Sequence, residues 1–127
     1  MPKAARDIHI AIVDDETMIL DVFSGLLKRA EFNAACFSSP DDALESFRRH
    51  PQKYDLLITD IYMPDGDGIV FASEVRKIVP NLPIMFMTGN ASPDVRERAI
   101  ALGRVEFLEK PFPLVDKLKE LIPRFIG

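Results

Sequence analysis

The sequence predicts an α/β fold built on an open, five-stranded, parallel, doubly wound sheet. Short apolar runs, at residues 8–13, 34–37, 56–59, 84–87 and 107–108, alternate with segments of helical spacing. Strands that alternate with helices pair in parallel through right-handed crossovers. Near-continuous apolar runs are typical of strands buried on both faces. A closed barrel of such units needs about 250 residues, and a chain of 127 residues therefore predicts the open sheet.

Length and composition favour one globular domain over residues 1–127, with about the first six residues as an N-terminal tail. The net charge of -4 provides no basic surface for nucleic acid or an anionic membrane. No apolar run approaches the roughly 20 residues of a membrane span. The N-terminus also lacks the apolar core of a signal peptide, so we expect a cytoplasmic protein. A single cysteine, Cys36, excludes an internal disulfide.

Helix signals separate the apolar runs. Residues 16–30 carry apolar side chains at helical spacing, and Ser39-Pro40 and Ser92-Pro93 each combine a capping residue with a proline at the first helical position. Gly103 stands where a glycine ends a helix. The predicted apolar face of the last helix consists of Leu114, Leu118, Leu121, Ile122 and Phe125.

Reactive side chains stand at the carboxyl ends of the predicted strands. Asp14 and Asp15 follow the first strand, Asp60 ends the third, Thr88 ends the fourth and Lys110 follows the fifth. In open parallel sheets these ends meet at one edge, where ligands bind. Clustered carboxylates suit Mg²⁺, which joins them to a phosphoryl group, and the ammonium and hydroxyl groups can contact phosphoryl oxygens. The pattern predicts a carboxylate that receives phosphate.

The chain resembles the receiver domains of two-component response regulators. The matching segments are Asp14-Asp15, residues 60–68, Thr88-Gly89 and residues 107–112, in order and over essentially the whole chain. The resemblance implies a flavodoxin-like (βα)5 fold with strand order 2-1-3-4-5. It also implies a regulatory domain that takes part in its own phosphorylation and dephosphorylation, and not an enzyme.

The resemblance assigns the phosphoacceptor and the metal ligands. Asp60 is the implied phosphoacceptor, and the implied Mg²⁺ ligands are Asp15, Asp60 and the backbone carbonyl of Tyr62. Asp14 is expected to act through metal-bound water. Tyr62 and Asn90 are the side chains that we expect to control the water that hydrolyses the acyl phosphate.

The resemblance also implies a conformational switch. Thr88 and Lys110 are the expected phosphoryl ligands, the Lys110-Pro111 bond is expected to be cis, and Thr88 and Phe107 are expected to move together. Phe107 stands where many family members have tyrosine, and Arg104 stands where a small residue is usual.

The implied partners are a phosphohistidine donor, on a sensor histidine kinase or phosphotransfer protein, and a downstream protein or output domain. The output partner is expected on the face of the fourth helix, fifth strand and fifth helix. A homodimer is possible, whereas direct nucleic-acid binding and membrane association are not expected.

The same residues allow other interpretations. A haloacid-dehalogenase-type phosphatase usually has a second acid two residues after its nucleophile, where this chain has Tyr62. A pseudo-receiver, which binds proteins without phosphorylation, is the main alternative. A DNA-binding regulator is not expected, because no helix-turn-helix segment or basic face is found after the fifth unit of this sequence. Asp65 and Asp67 are predicted to be turn and cap residues, and residues 96–98 to form a solvated helix face.

Overall fold

The structure, a computed structural model, describes residues 3–63, 66–109 and 115–127. The strands are β1 (His9–Val13), β2 (Asn33–Phe37), β3 (Leu56–Asp60), β4 (Tyr62–Met63), β5 (Gly66–Asp67), β6 (Ile84–Thr88) and β7 (Val105–Glu109). The helices are α1 (Thr17–Arg29), α2 (Pro40–Arg49), α3 (Gly68–Ile78), α4 (Pro93–Ile100) and α5 (Val115–Ile126). A short 3-10 helix (Ala5–Asp7) precedes β1.

One parallel sheet holds five of the strands, in the order β2-β1-β3-β6-β7. Counted among themselves these strands have the order 2-1-3-4-5, so the predicted topology is confirmed. The apolar runs did not predict β4 and β5, which pair as a small antiparallel ribbon. The apolar runs predicted burial of all five strands. The three inner strands, β1, β3 and β6, are almost wholly buried, whereas the two edge strands, β2 and β7, are partly exposed. An edge strand lacks one neighbour, which explains the exposure.

Helices cover both faces of the sheet, and each face has its own core. Side chains alternate along a strand, so Ile10 and Ile12 of β1 pack on one side and Ala11 and Val13 on the other. The first side is covered by α1 and α5, through Phe23, Leu27, Leu118 and Ile122. The second is covered by α2, α3 and α4, through Phe47, Ala72, Val75 and Ala99.

The helices begin close to the predicted residues. The Ser92 hydroxyl accepts a hydrogen bond from the Val95 amide at 3.3 Å at the start of α4. Ser39 occupies the capping position of α2, although its side chain makes no capping bond with any residue that the structure describes. The Asp67 carboxylate accepts from the Ile69 amide at 2.7 Å and caps α3, as predicted.

Arginine side chains hold the turn between α4 and β7. Gly103 and Arg104 have left-handed backbone conformations, with φ of 76° and 56°, which are costly for a residue with a side chain. The Arg104 guanidinium donates to the backbone carbonyls of Asn81 and Ile126 at 2.8 and 3.0 Å. Arg76 donates to the Gly103 carbonyl at 2.6 Å, and its burial, followed by the neighbouring Arg104 charge, lowers its pKa. These bonds offset the strain of the turn.

Some sequence predictions fall outside the described residues. These are the side chain of Lys110, the cis Lys110-Pro111 bond, the role of Asp65 as a turn residue and the place of Leu114 in the last helix. In the ranges that the structure does describe, no helix is both long and apolar enough to span a membrane.

Candidate functional site

Strand register brings three predicted site residues to the same edge of the sheet. Val13 of β1 pairs with Thr59 of β3, so Asp14 and Asp60 follow paired residues on neighbouring strands. Asp60 in turn pairs with Met87 of β6, and Thr88 comes directly after it. The edge therefore holds two carboxylates and one hydroxyl on three adjacent strands, which are three of the five groups predicted to meet there.

The two carboxylates are almost completely buried. Asp14 is 0% exposed and Asp60 is 6% exposed. Asp14 Oδ1 accepts a hydrogen bond from the Glu16 amide at 2.9 Å, and Asp60 Oδ1 accepts from the Tyr62 amide at 3.2 Å. Removing carboxylates from water is costly unless they gain partners. The loops after β1 and β3 supply backbone amides at this edge, and a cation bound there would further stabilise the pair.

Thr88 has a buried hydroxyl that is available for a ligand. The residue is 1% exposed, and among the described residues Thr88 Oγ1 has no hydrogen-bond partner. Thr59, which is also fully buried, donates from its hydroxyl to the Asp60 carbonyl at 3.1 Å. An unsatisfied buried hydroxyl costs about 1–3 kcal/mol. A group that entered beside Asp60 and accepted a hydrogen bond would recover that cost.

A groove of about 730 Å³ opens beside the acidic edge. Asp15 and Tyr62 line it, and Asp67 and Arg98 form an ion pair on its wall with a separation of 2.7 Å. Asp15 is partly exposed, unlike Asp14, and the Tyr62 side chain is 54% exposed. The groove therefore exposes Asp15 and the loop that follows the buried Asp60 to solvent.

The start of α3 lies unusually close to the backbone of Asp60. The Gly68 amide donates to the Ile61 carbonyl at 2.7 Å. A Cβ atom on Gly68 would lie 1.9 Å from the Asp60 carbonyl oxygen, so no side chain fits there without displacing the loop. No local sequence pattern indicates this packing role of Gly68, because the close approach depends on how α3 meets β3.

The chemistry of the donor set suits Mg²⁺. The predicted ligands are the carboxylates of Asp15 and Asp60 and the carbonyl of Tyr62, all oxygen donors, and Mg²⁺ binds one or two carboxylates and keeps several waters. Within the ranges described, no three His, Cys, Asp or Glu side chains form a cluster that could hold a metal. The predicted set does not require such a cluster, since it uses two carboxylates directly.

The charged stretch of α4 is exposed at Glu97 and Arg98, as predicted, whereas Arg96 is partly buried. Arg98 pairs with Asp67. Arg96 pairs with Glu109 at 2.7 Å and lies over the Phe107 ring. The sequence gave no signal for these contacts, because they join residues on different elements.

The predicted switch aromatic, Phe107, is partly buried in β7. Its ring centroid lies 6.2 Å from that of Phe86 on β6, with a tilt of 31° between the rings. The position connects the strand that ends at Thr88 with the exposed edge of the sheet.

The fold and the site together define a class: doubly wound α/β domains with an acidic site at the carboxyl edge of the sheet. Residues 10–122 match the family described as the response regulator receiver domain. The chain belongs to that family, and it is a receiver domain of the two-component response regulators.

Known structures of similar chains support this assignment. A response regulator receiver domain protein from Clostridium thermocellum is 29% identical with a TM-score of 0.84, and the match covers 94% of each chain. The beryllofluoride-activated NtrC4 receiver domain dimer is 28% identical with a TM-score of 0.80, and the match covers 93% of this chain and 95% of that one.

Curated relatives include the transcriptional regulatory protein ZraR of Escherichia coli, which is 31% identical over 121 residues. That match covers 95% of this chain and 27% of ZraR. The DNA-binding transcriptional regulator NtrC of Proteus hauseri is 30% identical over 118 residues, covering 93% of this chain and 24% of NtrC. The chain thus spans about a quarter of the length of these relatives.

Proposed function

We propose that this receiver domain accepts a phosphoryl group on the Asp60 carboxylate and that phosphorylation changes its conformation. The observation that carries the proposal is the arrangement at the sheet edge. Asp60 is nearly buried, and it and Asp14 directly follow a pair of residues on the neighbouring strands β3 and β1. On the other side Asp60 pairs with Met87, the residue that precedes Thr88. The Thr88 hydroxyl, without a partner among the described residues, can donate to an incoming phosphoryl oxygen.

The proposed reaction is transfer from a phosphohistidine. An Asp60 carboxylate oxygen attacks phosphorus, a new P–O bond forms, the P–N bond breaks, and the released imidazole nitrogen takes up a proton. Thr88 donates a hydrogen bond to one phosphoryl oxygen. Lys110, which lies outside the described residues, is proposed to neutralise another as a point charge. Stabilising charge that develops on these oxygens is the main contribution that a protein makes to phosphoryl transfer.

Asp15, Asp60 and the Tyr62 carbonyl are the residues that we propose hold Mg²⁺, with Asp14 acting through water. When bound, Mg²⁺ offsets the negative charge of the carboxylates and of the phosphoryl oxygens. Asp67 is a poorer candidate, because its carboxylate already accepts from the Ile69 amide and pairs with Arg98.

The proposed partners follow from the family. The donor is a sensor histidine kinase or a phosphotransfer protein, and the output surface is the face of α4, β7 and α5. The relatives ZraR and NtrC are named as transcriptional regulators, and the NtrC4 receiver is described as a dimer. Control of an output domain and homodimerisation are therefore proposals for this chain, and its cytoplasmic location stays a prediction.

Incubation with acetyl phosphate and Mg²⁺, followed by intact-mass measurement, tests the proposal. We expect a gain of one phosphoryl group in the wild type, no gain in Asp60→Asn, and no gain when Mg²⁺ is chelated. An unmodified wild type that still shows native circular dichroism would support the pseudo-receiver alternative. A phosphoryl group retained in Asp60→Asn would move the acceptor to another residue.

A further inference from the structure

We propose that Arg96 is a positioning residue for the switch, and that its guanidinium keeps the Phe107 ring in its partly exposed place and so favours the unphosphorylated conformation. The inference rests on the proposed function, because it assigns a direction to a change that phosphorylation would drive. It concerns a side chain on α4 that lies outside the phosphoryl site itself.

The guanidinium of Arg96 contacts three separate segments. Its Cζ atom lies 4.9 Å from the centroid of the Phe107 ring, over the face of the ring. Its Nη2 atom pairs with Glu109 Oε1 at 2.7 Å. Its Nε atom donates to the Ala91 carbonyl at 3.4 Å, which is a long bond.

These contacts surround the strand end that carries Thr88. Ala91 is buried and follows Thr88 by three residues. Glu109 pairs with Thr88 in the β6–β7 register. Phe107, which packs on Phe86, lies two residues before Glu109 on the same strand. If Thr88 and the residues after it move toward a phosphoryl group, we therefore expect the contacts of the Arg96 guanidinium with Ala91, Glu109 and Phe107 to change together.

The physical chemistry gives the sign of the effect. When the Phe107 ring turns inward, its face moves away from the Arg96 guanidinium. The cation–π contact is therefore lost in the activated conformation. A contact of this kind at a partly exposed site, with its ion pair, corresponds to about a two- to tenfold change in an equilibrium. Removing Arg96 should therefore raise the population of the activated conformation by that factor.

The test places 4-fluorophenylalanine at position 107 and follows its ¹⁹F resonance in the unphosphorylated protein. We compare the wild type with Arg96→Gln and Glu109→Gln, and use Arg124→Gln as a matched control. Arg124 pairs with Glu120 on the exposed surface of α5, so its removal deletes the same charge without touching the ring. The H₂O-to-D₂O isotope shift of the resonance reports how much water reaches the fluorine.

Arg96→Gln should lower the isotope shift, because the freed ring turns inward, and should tighten beryllofluoride binding by about two- to tenfold. Glu109→Gln should have a smaller effect of the same sign, and Arg124→Gln should have none. An isotope shift that rises in Arg96→Gln would overturn the inference, since the ring would then have stayed in place and lost only its cover. If the wild type binds beryllofluoride, an equal affinity in Arg96→Gln would also overturn the inference.

The two proposals fail in different measurements. The isotope shift is recorded without a phosphoryl group or an analogue, so it decides the role of Arg96 even if the wild type is not phosphorylated. A wild type that gains no phosphoryl group from acetyl phosphate overturns the proposed function, and the isotope shift then decides only whether Arg96 keeps the Phe107 ring in its partly exposed place.

Discussion

Two buried threonines at the acidic edge use their hydroxyl groups differently. Thr59 donates to the Asp60 carbonyl, whereas Thr88 Oγ1 has no partner among the described residues. A site that is arranged for a ligand often leaves a polar group unsatisfied until the ligand arrives. A hydroxyl left unsatisfied at Thr88 lowers the stability of the free protein, and the proposed phosphoryl group would restore that stability on binding.

The first prediction compares the two threonines by substitution with valine. Thr88→Val should raise the free energy of unfolding by about 1 kcal/mol, because it removes an unsatisfied buried hydroxyl. Thr59→Val should lower it by about 1 kcal/mol, because it deletes a hydrogen bond that is made. Urea denaturation measures both, and beryllofluoride binding should weaken only in Thr88→Val. Equal destabilisation of the two variants would show that the Thr88 hydroxyl is already bonded in the free protein, and unchanged beryllofluoride binding in Thr88→Val would contradict its assignment as a phosphoryl ligand.

The second prediction concerns Mg²⁺ binding in the absence of phosphate. Neighbouring carboxylates repel one another, and a divalent cation relieves the repulsion. Asp15→Asn should weaken Mg²⁺ binding more than Asp67→Asn, because Asp67 is engaged by the Ile69 amide and by Arg98. Isothermal titration of the two variants measures the difference. A larger loss in Asp67→Asn would mean that the metal site lies elsewhere along the groove.

The third prediction concerns the lifetime of the phosphorylated state. Water must attack phosphorus opposite the aspartyl oxygen, and the exposed side chains of Tyr62 and Asn90 are those expected to control its approach. Tyr62 is large enough to cover the approach, and the amide of Asn90 is a poor proton acceptor. Tyr62→Asn and Asn90→Glu should each shorten the lifetime, and the double variant should shorten it most.

Decay of the phosphorylated protein in excess Mg²⁺, followed by intact mass, measures these lifetimes. Wild type and the three variants should be compared at equal initial phosphorylation. Unchanged or slower decay in all three variants would show that neither side chain reaches the attacking water.

At the scale of single elements, the place of Asp60 depends on how α3 begins. The Asp67 carboxylate caps the helix, and the next residue, Gly68, lies against the backbone of Asp60 and Ile61. The loop that follows Asp60 is therefore fixed from two directions, by the end of β3 and by the start of α3. Such support from packed elements keeps a reactive group in place more precisely than a free loop would.

The fourth prediction tests this packing with two glycine substitutions. Gly68→Ala should lower the free energy of unfolding by about 1–3 kcal/mol, because the new Cβ collides with backbone atoms. Gly25→Ala in α1 should raise it by about 0.5–1 kcal/mol, because a Cβ atom there meets no atom of another described segment within 4 Å and alanine favours a helix. Urea denaturation compares the pair. A neutral Gly68→Ala would show that the loop is looser than its packing indicates.

Periodicity predicted the elements of the sheet well and their side-chain partners poorly. The run at residues 56–59 and the start signal Ser92-Pro93 depend on local patterns, and β3 and α4 appear where these patterns indicated. The β4–β5 ribbon is only two residues wide on each side, too short for a pattern to show. The contacts of Arg96 and Gly68 arise where separate elements pack against one another, and no local pattern specifies that packing.

At the candidate site, too, the sequence predicted which residues meet but not how deeply each is buried. Asp14, Asp60 and Thr88 could be predicted because strand-end residues of a parallel sheet meet at one edge whatever the side-chain packing. The difference in exposure between the adjacent Asp14 and Asp15 could not, because it depends on how the chain leaves β1. The place of Lys110 stays a prediction, since it lies outside the described residues.

At the scale of the whole molecule, the structure offers a continuous route from the acidic edge to the last helix. Thr88 pairs with Glu109 on β7, and Phe86 packs on Phe107. Leu108, between these two β7 residues, belongs to the same core cluster as Leu118 of α5. Because packed cores tend to rearrange between discrete states, a shift of β6 can change the face formed by α4, β7 and α5.

The fifth prediction follows the amide resonances while beryllofluoride and Mg²⁺ are added. If two conformations exchange and the ligand favours one, every residue that differs between them should shift with one binding curve. We expect shifts from Thr88 through Phe107 to α5, and only small ones in β2, which lies at the opposite edge of the sheet. With Mg²⁺ held constant, added beryllofluoride should cause no shifts in Asp60→Asn. Shifts confined to the loop after Asp60 would mean that ligand binding remains local, and the face of α4, β7 and α5 would then lose its proposed role in output.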